Sequence, residues 1–471
     1  MSHAIRAQRN QRYLLPPDLD EWIGPEHPAR FVADIVDNLD LEALGFRTSR
    51  GDEGRPHFAP ELLLGVWLYG WMERIRSTRA LEKALHTQIA FLWLAGMEKP
   101  DHVTLWRFFA DNKKALRKLF KVVVQTAAKA GLVGFALHAL DGTKLSAACS
   151  TETALHRKGL EDELKRVDEI VEASMAEVEA HQREPSPEWK MPQAMQVAQK
   201  RKEKIQSALK MLDDAEVNHL NEGEPEARLM KTRDGIKLGY NAQIVVDHDS
   251  DLVVAADVVA EATDHEQLVP MVEQVAETLG KTADETVADT GYASGAQLLE
   301  AEQRGLPVIV PPQEESSAKG EYAKSKFRFD GERDVYVCPR GQDLPLHGIQ
   351  SATTGKPALR VYRCHNMECP VRARCTDDKR GRAIKRYPGE EATARQTAKL
   401  ALPDKRILFS LRKEIVEHLF GILKVIDGFR RFTAWGLEGA QTQWALACTA
   451  VNLRKLIPAL RNGQITPASF G

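Results

Sequence analysis

The chain lacks the features that mark membrane and secreted proteins. No stretch approaches about 18 uninterrupted apolar residues, so no membrane span is expected. The opening MSHAIRAQRNQRYLLPPD has basic residues but no apolar core behind them, so no secretion signal is expected either. Charge of one sign is also missing: 65 Lys and Arg face 67 Asp and Glu, a net charge of −2. That balance excludes a uniformly basic or acidic protein but hides local runs, and so leaves a nucleic-acid partner open. Cysteine is scarce. Of six, four fall between Cys338 and Cys375, and without a secretion signal such clustering suggests metal before disulfide. A cytoplasmic protein is expected, and 471 residues suffice for two to four domains.

What is present falls into blocks. Residues 1–57 are a lead-in punctuated by Pro and Gly, with short helices suggested by Trp22, Phe31 and Leu39. Residues 58–131 read as an all-helical domain. PELLLGVWLYGWMERI places Pro60 at a first turn, STRALEKALHTQIAFLWLAG runs from a Ser77 or Thr78 cap to Gly96, and DHVTLWRFFADNKKALRKLFKVVVQTAAKAG supplies one or two more helices. Arg74, Arg76, Arg79, Arg107, Lys113 and Lys114 fit a helix-turn-helix DNA-binding unit, although packing domains share this pattern.

Beyond Gly134 the period changes to that of strands. Residues 132–311 predict a mixed α/β sheet with helices on its faces, interrupted at about 151–225 by a helical hairpin broken at EPSPEW. FALHALDGTKLSA reads as a strand ending at or just past Asp141. GIKLGYNAQIVVDHDSDLVVAADVV reads as a hairpin turning at Asp247–Ser250, and DHEQLVPMVEQVAETLG as a helix capped by Thr263 or Asp264. ETVADTGYAS is a short strand ending at Asp289. Residues 312–395 are expected to be irregular, basic, cysteine-rich and too polar to build their own core. Residues 396–460 complete the fold with a helix around LRKEIVEHLFGILK and a last helix at about 436–457.

Three carboxylates stand out. Asp141 and Asp289 each follow a strand and precede Gly and Thr, as DGT and DTG. Most such residues merely start a turn. Glu417 lies on a helix whose apolar stripe is Val416, Leu419, Phe420 and Leu423, with Lys413, Glu417 and Lys424 along its edge. An ordinary i, i+4 pair between Lys413 and Glu417 is the bland alternative. Two aspartates at strand ends with a glutamate on a core-edge helix form the hard-oxygen set that holds Mg²⁺, and a pair of such ions can cut a phosphodiester.

These motifs together resemble bacterial insertion-sequence transposases of the DDE type. The resemblance rests on ALDGTKL around Asp141, GYNAQIVVD at 239–247, VADTGYAS around Asp289 and KEIVEHLFGILK around Glu417. It also rests on LYGWMERIRSTRALEKAL and FLWLAGMEKPDHVTLWRFF in the helical block, and on the tail GFRRFTAWGLEGAQTQWALACTAVNLRKL. It implies an RNase H-like core in which Asp141, Asp289 and Glu417 bind two Mg²⁺ or Mn²⁺ ions. The family's Tyr-x2-Arg-x3-Glu-x6-Lys pattern is met at Glu417 and Lys424. Lys413 stands in the Arg position, Ser410 in the Tyr position, and Arg412 is placed to supply the arginine from next door. Binding of terminal inverted repeats, hydrolysis at the ends and strand transfer into target DNA follow, on double-stranded DNA and as a homodimer. A nuclease of the same core that does not join, and a catalytically idle DNA-binding repressor, are the competing readings.

Cys338, Cys364, Cys369 and Cys375 form a candidate structural Zn²⁺ site, with reduced thiols as the alternative. From Lys356 to Arg386 ten Lys and Arg face three acids, which suggests a DNA backbone track over a merely solvated face. Arg430, Arg431 and Trp435, just past the Glu417 helix, invite the same reading. Cys149 and Cys448 read as buried core cysteines.

Overall fold

A computed structural model describes residues 18–47, 57–183, 193–232, 235–313, 320–352 and 358–471. The opening stretch through Pro17, the EPSPEW break and Lys356 lie outside the described residues. The lead-in contributes α1 (Leu19–Trp22), α2 (Pro28–Asn38) and α3 (Leu41–Leu44). Next comes α4 (Pro60–Met72), opened by its proline and buried along nearly its whole length. The helix expected over 77–96 is two, α5 (Thr78–Thr87) and α6 (Ile89–Leu94), with Gln88 extended between them. Ser77 caps α5, and Thr87 turns its hydroxyl back to the Lys83 carbonyl at 2.8 Å, a bond that bends a helix at its end. The block closes with α7 (His102–Asp111), capped by Asp101, and α8 (Lys113–Lys129).

The chain then enters the main sheet with β1 (Leu137–Ser146). The short strands β2 (Leu155–His156) and β3 (His219–Leu220) pair at the base of a hairpin of α9 (Arg157–Arg183) and α10 (Gln193–Asp214). The sheet continues with β4 (Arg228–Thr232), β5 (Gly235–Asp247) and β6 (Val253–Val259), crosses by α11 (Leu268–Leu279) to β7 (Glu285–Ala288), and by α12 (Gly295–Gln303) to β8 (Val308–Ile309). β1 lies between β5, which is antiparallel to it, and β7, which is parallel; β6 and β4 pair with successive halves of β5, and β8 runs parallel to β7.

The cysteine-rich segment is not irregular. It forms an antiparallel sheet of β9 (Arg328–Asp330), β10 (Val335–Val337), β11 (Asp343–Gln350), β12 (Leu359–Arg363) and, after the short helix α13 (Arg372–Cys375), β13 (Ala383–Arg386). It also has a core of its own, in Tyr322, Phe327, Tyr336, Leu344, Tyr362 and Ile384. Aromatics bury large area per residue, so a few of them on short strands suffice where aliphatic runs are missing.

The chain returns through α14 (Glu390–Ala401) to α15 (Pro403–Gly421), a π turn over 422–426, and α16 (Gly436–Arg461). Helix α16 is buried along most of its length and packs against α4, α8 and β6. Asn452 clasps β6 through both backbone groups of Val253, at 2.9 and 2.8 Å. One hydrophobic core therefore runs through the N-terminal helices, the main sheet and α16. Among the described residues no helix is long and apolar enough to cross a membrane.

Candidate active site

Strand register sets the two aspartates side by side. β1 and β7 pair in parallel from Leu137 with Glu285 to Leu140 with Ala288, so the next residues on the two strands are Asp141 and Asp289. β7 stops there, whereas β1 continues against β5 as far as Ser146. Asp141 is thus not at the end of its strand, as its pattern suggested; it stands where one neighbour ends. The sheet opens at that point, on the C-terminal edge where mixed α/β sheets place their sites. Asp289 accepts from the Gly291 N–H at 2.7 Å and starts a short turn. Asp141 accepts from the Gly142 N–H at 2.7 Å and from Arg412 at 3.0 Å. Burial pushes the Asp141 carboxyl above the usual range and the Asp289 charge adds to that, against the opposing pull of Arg412 and the Gly142 N–H.

Helix α15 lies over this edge. Val416, Leu419 and Leu423 are buried and Phe420 half-buried, the stripe expected from the sequence. Arg412 reaches down to Asp141. Lys424 falls in the π turn, where the Asp427 N–H bonds to the Ile422 carbonyl at 2.7 Å, a register change often found at functional positions. Its ammonium donates to the Thr143 hydroxyl, on the same face of β1 as Asp141. Glu417 behaves differently. Its side chain is 64% exposed and pairs with Lys413 at 3.7 Å. Glu414 lines a groove with His248, Asp251 and His418.

The structure therefore joins Asp141, Asp289, Arg412 and Lys424, and leaves the Glu417 carboxylate outside. Among the described residues no three His, Cys, Asp or Glu side chains are grouped to hold a metal ion. The physical reason is charge. Two adjacent carboxylates repel a third unless a cation lies between them, and Arg412 already supplies positive charge to Asp141. The donor chemistry of the aspartate pair suits a hard divalent cation, one carboxylate short of a full set.

The other basic candidates divide. Lys413 and Arg430 are exposed. Arg431 donates to the carbonyls of Ala147, Ala148 and Cys149 and ties the segment after α15 to the end of β1. Trp435 is 54% exposed and stands over Gly223. In the helical block Arg74 and Arg76 both reach Asp427, and Lys113 pairs with Glu438, so part of that charge fastens the helices to the core. Arg79, Arg107 and Lys114 remain exposed. In the basic run, Arg360, Arg363, Arg374 and Arg386 pair with Asp334, Asp378, Glu321 and Glu391, which reduces the free charge of the expected track.

Cys338, Cys364, Cys369 and Cys375 are free thiols lining one pocket with Tyr322, Phe327 and Arg382. Burial pushes the Cys375 thiol up, the nearby cysteines adding to the effect. Thiols suit zinc, although the four are not closed into a metal-holding group. Cys149 and Cys448 are buried.

Sequence reasoning missed a polar cluster on the reverse face of β1. Asp264 does not cap α11, whose first turn has Gln267 as cap and no side-chain bond. It accepts instead from Lys144, Asn241 and Gln243. Gln243 in turn accepts from the buried Tyr292 hydroxyl. The available signal was Asn241 and Gln243, two polar residues on one face of an otherwise apolar strand.

Residues 17–111 match the family described as Transposase domain (DUF772), and residues 337–457 the family described as Transposase DDE domain. No curated protein matches the chain. Both are transposase families, with the Glu417 helix inside the DDE match and the two aspartates between the matched segments. Together they support an insertion-sequence transposase of the DDE type.

Proposed function

We propose that the chain binds the terminal inverted repeats of its own insertion sequence, hydrolyses the DNA at each end and joins the exposed 3′-hydroxyls to target DNA. The observation that carries this reading is the adjacency of Asp141 and Asp289 at the opened edge of the sheet, beneath α15. An RNase H-like core is supported by the order and directions of β6, β5, β1, β7 and β8, in which only β5 runs against its neighbours β1 and β6.

Two divalent cations, Mg²⁺ or Mn²⁺, held by Asp141, Asp289 and an inward-turned Glu417 would activate the attacking hydroxyl and stabilise the leaving oxygen. The chain's own groups do the rest. Lys424, steadied by Thr143, offers a cation to the scissile phosphate beside the aspartates. Arg412 can exchange Asp141 for a phosphate oxygen. Exposed Lys413, Arg430 and Trp435 continue this surface and contact flanking DNA, whereas Arg431 works on the protein itself. Two ends must be brought together, which calls for a homodimer on DNA, acting in the cytoplasm at the nucleoid. Cys338, Cys364, Cys369 and Cys375, which line one pocket, would hold a structural Zn²⁺.

Asp289→Asn keeps size and hydrogen bonding but removes the charge. It should still shift DNA carrying the element's ends on a gel, while nicking falls by about a thousandfold or more, some 4 kcal/mol. Nicking at the wild-type rate would reduce Asp289 to a turn former and end this assignment.

A further inference from the structure

Asp141 and Thr143 face α15, so Gly142 and Lys144, which alternate with them, face the other side of the sheet. On that side, in the loop between β6 and α11, stands Asp264. One carboxylate oxygen accepts from Lys144 at 2.8 Å, Asn241 at 2.7 Å and Gln243 at 2.7 Å, and the other from Lys144 at 2.7 Å. Only 18% of its side chain is exposed. Burial pushes its pKa up, but the bonds from Lys144 and Asn241, with the Lys144 charge, outweigh this and hold it below the usual range.

The two glycines of DGT and DTG show how closely this carboxylate approaches. A Cβ on Gly142 would sit 2.7 Å from Asp264 Oδ1, and one on Gly291 would sit 3.4 Å from Asp264 Oδ2 and 2.9 Å from Asp289 Oδ1. Neither glycine has a positive φ, so neither is required by backbone conformation. Both provide space. Asp264 therefore stands against the residue after Asp141 and against the turn that Asp289 begins.

We propose that Asp264 is a positioning residue, whose ionised carboxylate, clamped by Lys144, Asn241 and Gln243, fixes from behind the spacing of Asp141 and Asp289. The inference rests on the reading of those two aspartates as metal ligands. A brace that holds ligands without touching the ion typically tunes affinity by about 10–100-fold when removed.

The test is Mn²⁺ titration of the full-length protein without DNA, read by calorimetry and by the electron-spin resonance of free Mn²⁺, with melting curves for each variant. Asp264→Asn is expected to weaken Mn²⁺ binding about tenfold at unchanged stoichiometry. Lys144→Met, which unclamps the carboxylate and removes no acid, should do the same and serves if Asp264→Asn does not fold. Wild-type affinity in folded Asp264→Asn, or in folded Lys144→Met, would overturn the proposal. So would a loss of bound ions as complete as in Asp289→Asn, since Asp264 would then be a ligand. Wild-type Mn²⁺ binding by Asp289→Asn itself would instead refute the underlying metal site, a result separable from either.

Discussion

Two glutamates on α15 compete for the place of the third acid. They lie three residues apart, about 60° around the axis, and both are exposed. Glu417 is nearly in line with Lys424, whose ammonium already reaches β1 beside Asp141, whereas Glu414 faces the groove toward His248 and Asp251. We expect Glu417→Gln to abolish Mg²⁺-dependent cleavage of end DNA while costing at most about 0.5 kcal/mol of stability, the worth of an exposed pair with Lys413. Glu414→Gln should cleave almost as wild type. Cleavage rates at matched folded fraction, checked by circular dichroism, decide between them, and the reverse pattern would shift the catalytic register. At this scale the sequence was partly legible. DGT and DTG exposed Asp141 and Asp289 because each puts an acid, a glycine and a hydroxyl straight after an apolar run. Asp264 looked like a helix cap because its true partners, Lys144, Asn241 and Gln243, are distant in sequence and meet it only when β1 and β5 pair.

Among the elements, the helices and main strands were readable from periodicity and caps; Ser77 and Pro60 both act where the sequence placed them. The cysteine-rich sheet was not readable. Its strands are short, its turns are rich in Gly and Pro, and its stability comes from ring packing of Phe329, Tyr336 and Tyr362, with centroids 5.1–5.7 Å apart. Such contacts leave no period to detect. A sheet whose aromatic core is flanked by four thiols around one pocket has reason to bind metal there. Elemental analysis of protein purified without added metal should find about one zinc per chain. Cys364→Ser should then raise protease cleavage near 338–376 and leave the N-terminal helices folded. A folded, active preparation free of zinc would remove the idea.

For the whole molecule, the helices within 58–131 share one hydrophobic core with the main sheet. Asp427, 10% exposed just past the π turn, is one polar fastening between them, beside Lys113 with Glu438: it receives Arg74, Arg76 through its carbonyl, and Arg454 of α16. Asp427→Ala leaves two arginines facing a partly buried gap, and breaking such a pair costs about 3 kcal/mol. Thermal melting should show the loss, and limited proteolysis should show the helical block loosening first. An unchanged melting temperature would mean that apolar packing alone holds the two parts.

Helix α16 gives that shared core a biological consequence. It is translated after every strand and helix it touches, yet both α4 and β6 close on it. The core that carries the Asp141–Asp289 edge therefore cannot close until α16 has left the ribosome. A decayed copy, cut short by a stop codon upstream of Gly436, would yield a chain with an open core, fit for degradation rather than for the end binding proposed above. Intact copies would then be spared competition from the truncated products of their own relatives.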